Sequence, residues 1–172
     1  MIFNSQNKES SICDLIKKDH QPLLAMIEKL NHHHISIQQK RFDYAEFETL
    51  LRYHTFAEER SLYAAIKESA VLKEEAFKGD FEHTLCAQLT REIVDIDDDT
   101  RWLAKVSVLL DLKKNHIEKE ESLILKKLEK VFSHHELVTM GKKYLRYLDE
   151  IIDDEKITIS TTVYHPQFHF LY

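Results

Sequence analysis

Two segments of this 172-residue chain pair a histidine with a glutamate four positions on, His54-Thr55-Phe56-Ala57-Glu58-Glu59 and His116-Ile117-Glu118-Lys119-Glu120-Glu121. A lone histidine precedes each pair, His20 for the first and His83 for the second. His54 to His116 and Glu58 to Glu120 both span 62 residues and His20 to His83 spans 63, so one helix-pair unit occurs twice. On a helix, residues i and i+4 lie one above the other on one face. Each His/Glu pair can therefore present an imidazole nitrogen and a carboxylate oxygen to one point. That is a metal-ligand arrangement.

An inward-facing carboxylate without a partner is costly to bury, and two of them repel. Two divalent cations resolve both problems. Glu58 and Glu120 can bridge the metals while His20, His54, His83 and His116 bind terminally, two per metal, leaving positions open for water, hydroxide or a small ligand. Mixed imidazole and carboxylate donors suit iron, with manganese as a second choice, whereas structural zinc more often takes a closed four-ligand site. The bland alternatives are a buried polar network or a surface face on a rotated helix. They suit a lone histidine better than six residues of matched spacing.

The elements that must carry these residues are helical. Ser11-x-x-Asp14 resembles a capping box, and Ile12, Leu15, Ile16, Leu23, Leu24, Ile27 and Leu30 recur at helical spacing with His20 on the same stripe. A second helix is expected from about Asp43, with Glu46 three residues on, carrying Phe47, Leu50, Leu51, His54, Glu58 and Leu62. A third is expected over about 69–95, with Gly79 weakening its first turns. The run Asp97-Asp98-Asp99 suits a loop and the start of a fourth helix, whose dipole it complements, and that helix carries Trp102, Val106, Leu109, His116 and Glu120. Ser133-x-x-Glu136 caps a fifth, with Leu137, Tyr144, Leu148, Ile151 and Ile152 on its stripe.

Antiparallel neighbours bring two ligands level only if the loop falls midway between them. The midpoints lie near 37, 68 and 99, at or beside the loops expected from polarity and capping. All six residues then fit one layer of an all-α, up-down-up-down four-helix bundle. That layer sits about 14 to 17 residues, roughly 21–25 Å, from the connections.

Composition agrees. Only two glycines and two prolines interrupt the chain, and 43% hydrophobic content fills one core. A formal charge of −6 argues against a nucleic-acid scaffold. Pairs such as Lys17-Lys18, Lys113-Lys114 and Lys126-Lys127 read as solvated helix faces. Cys13 and Cys86 make no disulfide framework, the first residues form no signal peptide, and no apolar run has membrane-spanning length. A soluble cytoplasmic protein is expected, as a single domain over 1–172, with a metal-binding core over 11–130, an accessory helix over 133–156 and a tail over 157–172.

Other candidates weigh less. Glu59 and Glu121, about 100° around the helix from their neighbours, suit carboxylates that orient histidines. Cys86, three residues after His83, reads as a small buried hydrophobe. His32-His33-His34 lies too far along the helix from His20 to share its centre. His134, His135, His165 and His169 have spacings that define no site. Ile157, Thr158, Ile159, Thr161, Thr162 and Val163 favour extended structure, and Tyr164, Phe168, Phe170 and Tyr172 add aromatics. This tail and the fifth helix are expected to cover the bundle or to form a homodimer contact.

At these residues the chain resembles the hemerythrin-like HHE cation-binding domains, whose pattern is a lone His, H-x-x-x-E, a lone His and H-x-x-x-E on four helices. The resemblance covers about residues 11 to 130. It implies two iron ions, Fe2+ or Fe3+, with an oxo or hydroxo bridge, or manganese or zinc in their place. His20 and His54 would serve one metal, His83 and His116 the other, and Glu58 and Glu120 would bridge. Oxygen-carrying hemerythrins have an extra histidine in an H-x-x-x-H pair on the third helix, whereas here Gly79 and Ala87 flank His83. That departure weighs against reversible oxygen carriage. The leading expectation is a protein that binds or senses oxygen, nitric oxide, peroxide or iron. A di-iron redox or repair enzyme for damaged iron centres is the enzymatic alternative, and a helical interaction module with zinc or a vestigial site is the third.

Overall fold

Side-chain caps set where the helices of this computed structural model begin. Residues 9–163 are described, and among them every regular element is helical. Ser11 Oγ accepts from the Asp14 amide at the head of α1 (Ile12–Asn31), as the capping box predicts. Helix α2 begins earlier than expected, at Ile37, because Ser36 Oγ accepts from the Gln39 amide. Asp43 is no cap. It lies buried and takes Lys29 Nζ and Gln39 Nε2, each at 2.8 Å. Helix α2 runs over Ile37–Glu58, through a π-helical turn at Glu59–Tyr63, into Ala64–Ile66.

Helix α3 covers Lys73–Val94, starting four residues later than expected. In α4, Asp98 caps Asp99–Lys119 through the Arg101 amide, and a second π turn at Glu120–Ile124 leads into Leu125–Val131. The last helix, α5 (His134–Val163), opens with the predicted reciprocal cap: Ser133 Oγ accepts from the Glu136 amide, and Glu136 Oε2 accepts from the Ser133 amide. Residues 157–163 are helical where extended structure was expected. Extending a formed helix fixes one residue per added hydrogen bond, which outweighs the small β preference of Ile and Thr. The aromatic tail from Tyr164, with His165 and His169, lies outside the described residues.

Helix α1 packs against α2, α4 and α5, α3 packs against α4, and the π turn of α2 touches α3. The apolar interior forms two clusters. One gathers Ile12, Ile16, Leu62, Ala76, Leu125 and Leu128 with the α5 stripe Leu137, Met140, Tyr144 and Leu148. The other gathers Leu23, Ile27, Phe47, Leu51, Ile93, Trp102 and Leu109. Helix α5 therefore covers the bundle with its apolar face. The close contact depends on Gly141, where a Cβ would come within 2.5 Å of the Ser10 carbonyl oxygen. No helix among the described residues is long and apolar enough to cross a membrane.

Candidate metal centre

Between the two apolar clusters lies a polar layer. Apart from Ser11, Ser61 and Asp43, the buried polar side chains of the described residues are His20, His54, Glu58, His83, His116, Glu120 and Lys113. His20 comes from α1, His54 and Glu58 from the end of α2, His83 from α3, His116 from α4, and Glu120 from the π turn that follows it. Along each of these helices the apolar residues on one side of the ligand positions join the first cluster and those on the other side the second, except Tyr53 and Ile117, which adjoin ligand histidines.

The six predicted residues converge in two groups that share a member. His20, His54, Glu58 and Glu120 offer ligand atoms within 4.8 Å of one another, as do Glu58, His83 and His116. Glu58 Oε2 lies 3.2 Å from His54 Nε2 and 3.4 Å from His83 Nε2. Glu120 Oε2 lies 3.2 Å from His20 Nε2 and 4.0 Å from His116 Nε2. Each carboxylate thus faces one histidine from each half of the sequence repeat.

The donor atoms fit a cation better than they fit each other. Both oxygens of Glu58, Oε2 of Glu120, and Nε2 of His20 and of His54 are buried without a hydrogen-bond partner. Buried polar atoms left unpaired in this number call for a partner, and a bound cation would supply one. Carboxylate oxygens with neutral imidazoles are donors that iron or manganese accepts.

The hemerythrin HHE cation binding domain matches residues 11–128. The chain belongs to that family. No curated protein and no solved structure matches it.

In this HHE domain the histidines are held from behind. His20 Nδ1 pairs with Glu121 Oε1 at 2.7 Å and His116 Nδ1 with Glu82 Oε2 at 2.8 Å. Glu59 Oε1 stands 3.3 Å from His83 Nδ1. His54 Nδ1 meets the Tyr144 hydroxyl at 3.2 Å, and that hydroxyl donates to Asp19 Oδ2 at 2.6 Å. A carboxylate at Nδ1 of His20 and of His116 favours the tautomer that leaves Nε2 free for a metal, whereas His83 Nδ1 makes no hydrogen bond and His83 Nε2 lies 3.1 Å from His116 Nε2. Glu59 and Glu121 are the orienting carboxylates expected from the motif. Glu82 and Tyr144 had no such signal, because they lie 34 and 90 residues from the histidines they meet.

One π turn follows Glu58 and the other begins at Glu120. In a regular α-helix, Tyr63 would lie about 140° around the axis from Glu58. The wider turn, closed by the Ala64 amide on the Glu59 carbonyl, accompanies burial of both side chains, and Ser61 Oγ donates to the Ala57 carbonyl oxygen at 2.6 Å. Tyr63 then donates its hydroxyl to Glu120 Oε1 at 3.1 Å. Its ring occupies the space beside Gly79, where a Cβ would sit 2.2 Å from the ring. A tyrosine from the neighbouring helix thus fills the volume beside this position.

Burial and the charge of Glu58 push Glu120 up to about 7. Burial also works on Glu58, but its contacts with His54 and His83 outweigh it and hold the carboxyl well below the usual range. Without a cation, then, one of the two carboxylates keeps a proton near neutral pH. Burial foremost holds His54 and His116 down to about 3, so both are neutral, as ligands must be. Against that burial, Glu120 and Glu58 raise His20 and His83 respectively.

Lys113 corrects the reading of its lysine pair as a solvated face: it is fully buried, while Lys114 is exposed. The residues set aside stay outside the centre. His32, His33 and His34 form the exposed loop after α1, and His134 and His135 are exposed at the head of α5. Cys86 is buried, belongs to neither ligand group, and has its thiol pushed up to about 11 by burial.

Proposed function

We propose that this HHE domain is a non-haem di-iron protein that binds or senses a small ligand, oxygen, nitric oxide or peroxide, on an up-down-up-down four-helix bundle. The observation that carries the reading is the placement of Glu58 and Glu120, each between a histidine of one half and a histidine of the other. Such carboxylates are positioned to bridge, with His20 and His54 on one ion and His83 and His116 on the other. The alternating topology is supported by the order in which successive helices pass between the two apolar clusters.

Bound iron would supply redox-active Lewis acidity at any coordination position these residues leave open. The chain's own part is to keep His54 and His116 neutral, to hold the imidazoles from behind, and to exclude bulk water with an apolar cluster on either side. Those features suit holding a metal pair and a small ligand better than turnover of a metabolite.

Metal analysis of protein purified without air, followed by absorption spectra during exposure to oxygen and to nitric oxide, tests the proposal. Iron near two equivalents per chain with ligand-dependent bands is the expected result. Zinc in a spectrally silent site, or no metal at all, would favour a helical interaction module instead.

A further inference from the structure

Lys113 stands on α4 three residues before His116, so it shares that histidine's inward face. It is fully buried, and its ammonium has no hydrogen-bond partner. Its charge nevertheless acts on all six candidate ligands. A lysine of this burial normally pairs with a carboxylate, and two are at hand. Neither Glu58 nor Glu120 accepts from it, and both direct oxygens to the histidines instead. Three N–H donors are thus held dry beside a centre that is itself positive once two divalent cations sit between two carboxylates. Burying a cation there needs an acceptor that bears negative charge.

We propose that Lys113 makes the exogenous-ligand position of this centre selective for small anions, such as azide or a hydroperoxide, over neutral diatomics. The inference rests on the di-metal reading above. A bound anion would accept from the Lys113 ammonium while binding metal, satisfying the orphaned donors and lowering the net positive charge in one step. A basic-rimmed approach reaches the histidine side of the centre, apart from Lys113. A groove of about 470 Å³ between α2 and α3 reaches His83, and Arg52, Arg60 and Arg91 line it against Glu48 and Glu59. A neutral diatomic gains little from either feature.

The test compares unaltered protein with Lys113→Met, which keeps the length of the side chain, and Lys113→Gln, which keeps a donor without charge. Azide is titrated into the air-oxidised iron protein and nitric oxide into the reduced protein, with iron content measured alongside. Azide should weaken roughly tenfold or more in both variants, and nitric oxide by less than about threefold, at unchanged iron content. Equal azide affinity at equal iron content overturns the proposal, as does an equal loss for both ligands, which would mean that Lys113 shapes the pocket without selecting charge. A measurement that needs no variant is the melting temperature of the unaltered zinc-loaded protein, which azide should raise; no rise overturns the inference. If the unaltered protein takes up no metal, the di-metal reading fails and this one with it. If it holds both metals and azide ignores Lys113, only this inference falls.

Discussion

Tyr144, on the helix outside the four that carry the candidate ligands, meets His54 Nδ1 at 3.2 Å and donates its hydroxyl hydrogen bond to Asp19 Oδ2 at 2.6 Å. The fifth helix is therefore part of the centre's support as well as a cover for its apolar flank. A Tyr144→Phe protein should hold metal about 10- to 100-fold more weakly, as loss of an outer partner of a ligating histidine does. Competition against a chromophoric chelator would measure it, and an unchanged affinity would remove Tyr144 from the site. A chain ending at Lys130 should fail more completely, because it uncovers Ile12, Ile16 and Leu62.

Glu58 belongs to both ligand groups, whereas Glu120 belongs to one. Glu58→Ala should abolish loading of the metal pair, and Glu120→Ala should leave partial occupancy. Inductively coupled plasma analysis of each purified variant reads the ratio directly. Full occupancy in Glu58→Ala would contradict the bridging assignment.

Gly79 and Tyr63 make a coupled pair. Gly79→Ala should push the Tyr63 ring from its place, destabilise the fold by about 1–3 kcal/mol, and release Glu120 Oε1. Tyr63→Phe should release the same oxygen with less strain. Denaturant titration, together with the metal-centre spectrum, separates the two: a shared spectral change with unequal stability is the expected outcome.

The buried carboxylates set a pH dependence for the metal-free protein. The folded value for Glu120, about 7, lies above its ordinary 4.5. Its contribution is thus fully present below about 4.5 and is lost as pH rises through about 7. Metal-free Glu120→Gln should accordingly gain stability relative to metal-free unaltered protein between about pH 5 and pH 8. Melting temperatures of both across that range check the sign. Bound metal should suppress the difference by replacing the proton, and should raise the melting temperature of the unaltered protein at neutral pH.

The convergence of His20, His54, Glu58, His83, His116 and Glu120 was legible in the sequence for a definite reason. Donors on helices must recur at i and i+4, and neighbouring helices must bring them level across short loops, so the chemistry leaves its mark in spacing. The caps at Ser11 and Ser133 were legible too, being contacts within one turn, and the acidic run around Asp98 marked the start of α4. Ser36-x-x-Gln39 carried the same local signal, yet Asp43 drew the start of α2 because polarity alone does not tell a cap from a buried partner of Lys29. Tertiary structure decided the rest. Tyr144 behind His54, Glu82 behind His116, Tyr63 on Glu120 beside Gly79, and the inward turn of Lys113 depend on which helix faces meet and how closely. Those contacts join residues with no periodic relation, and a lysine on a polar-looking stretch of helix reads as solvated until its neighbours close over it.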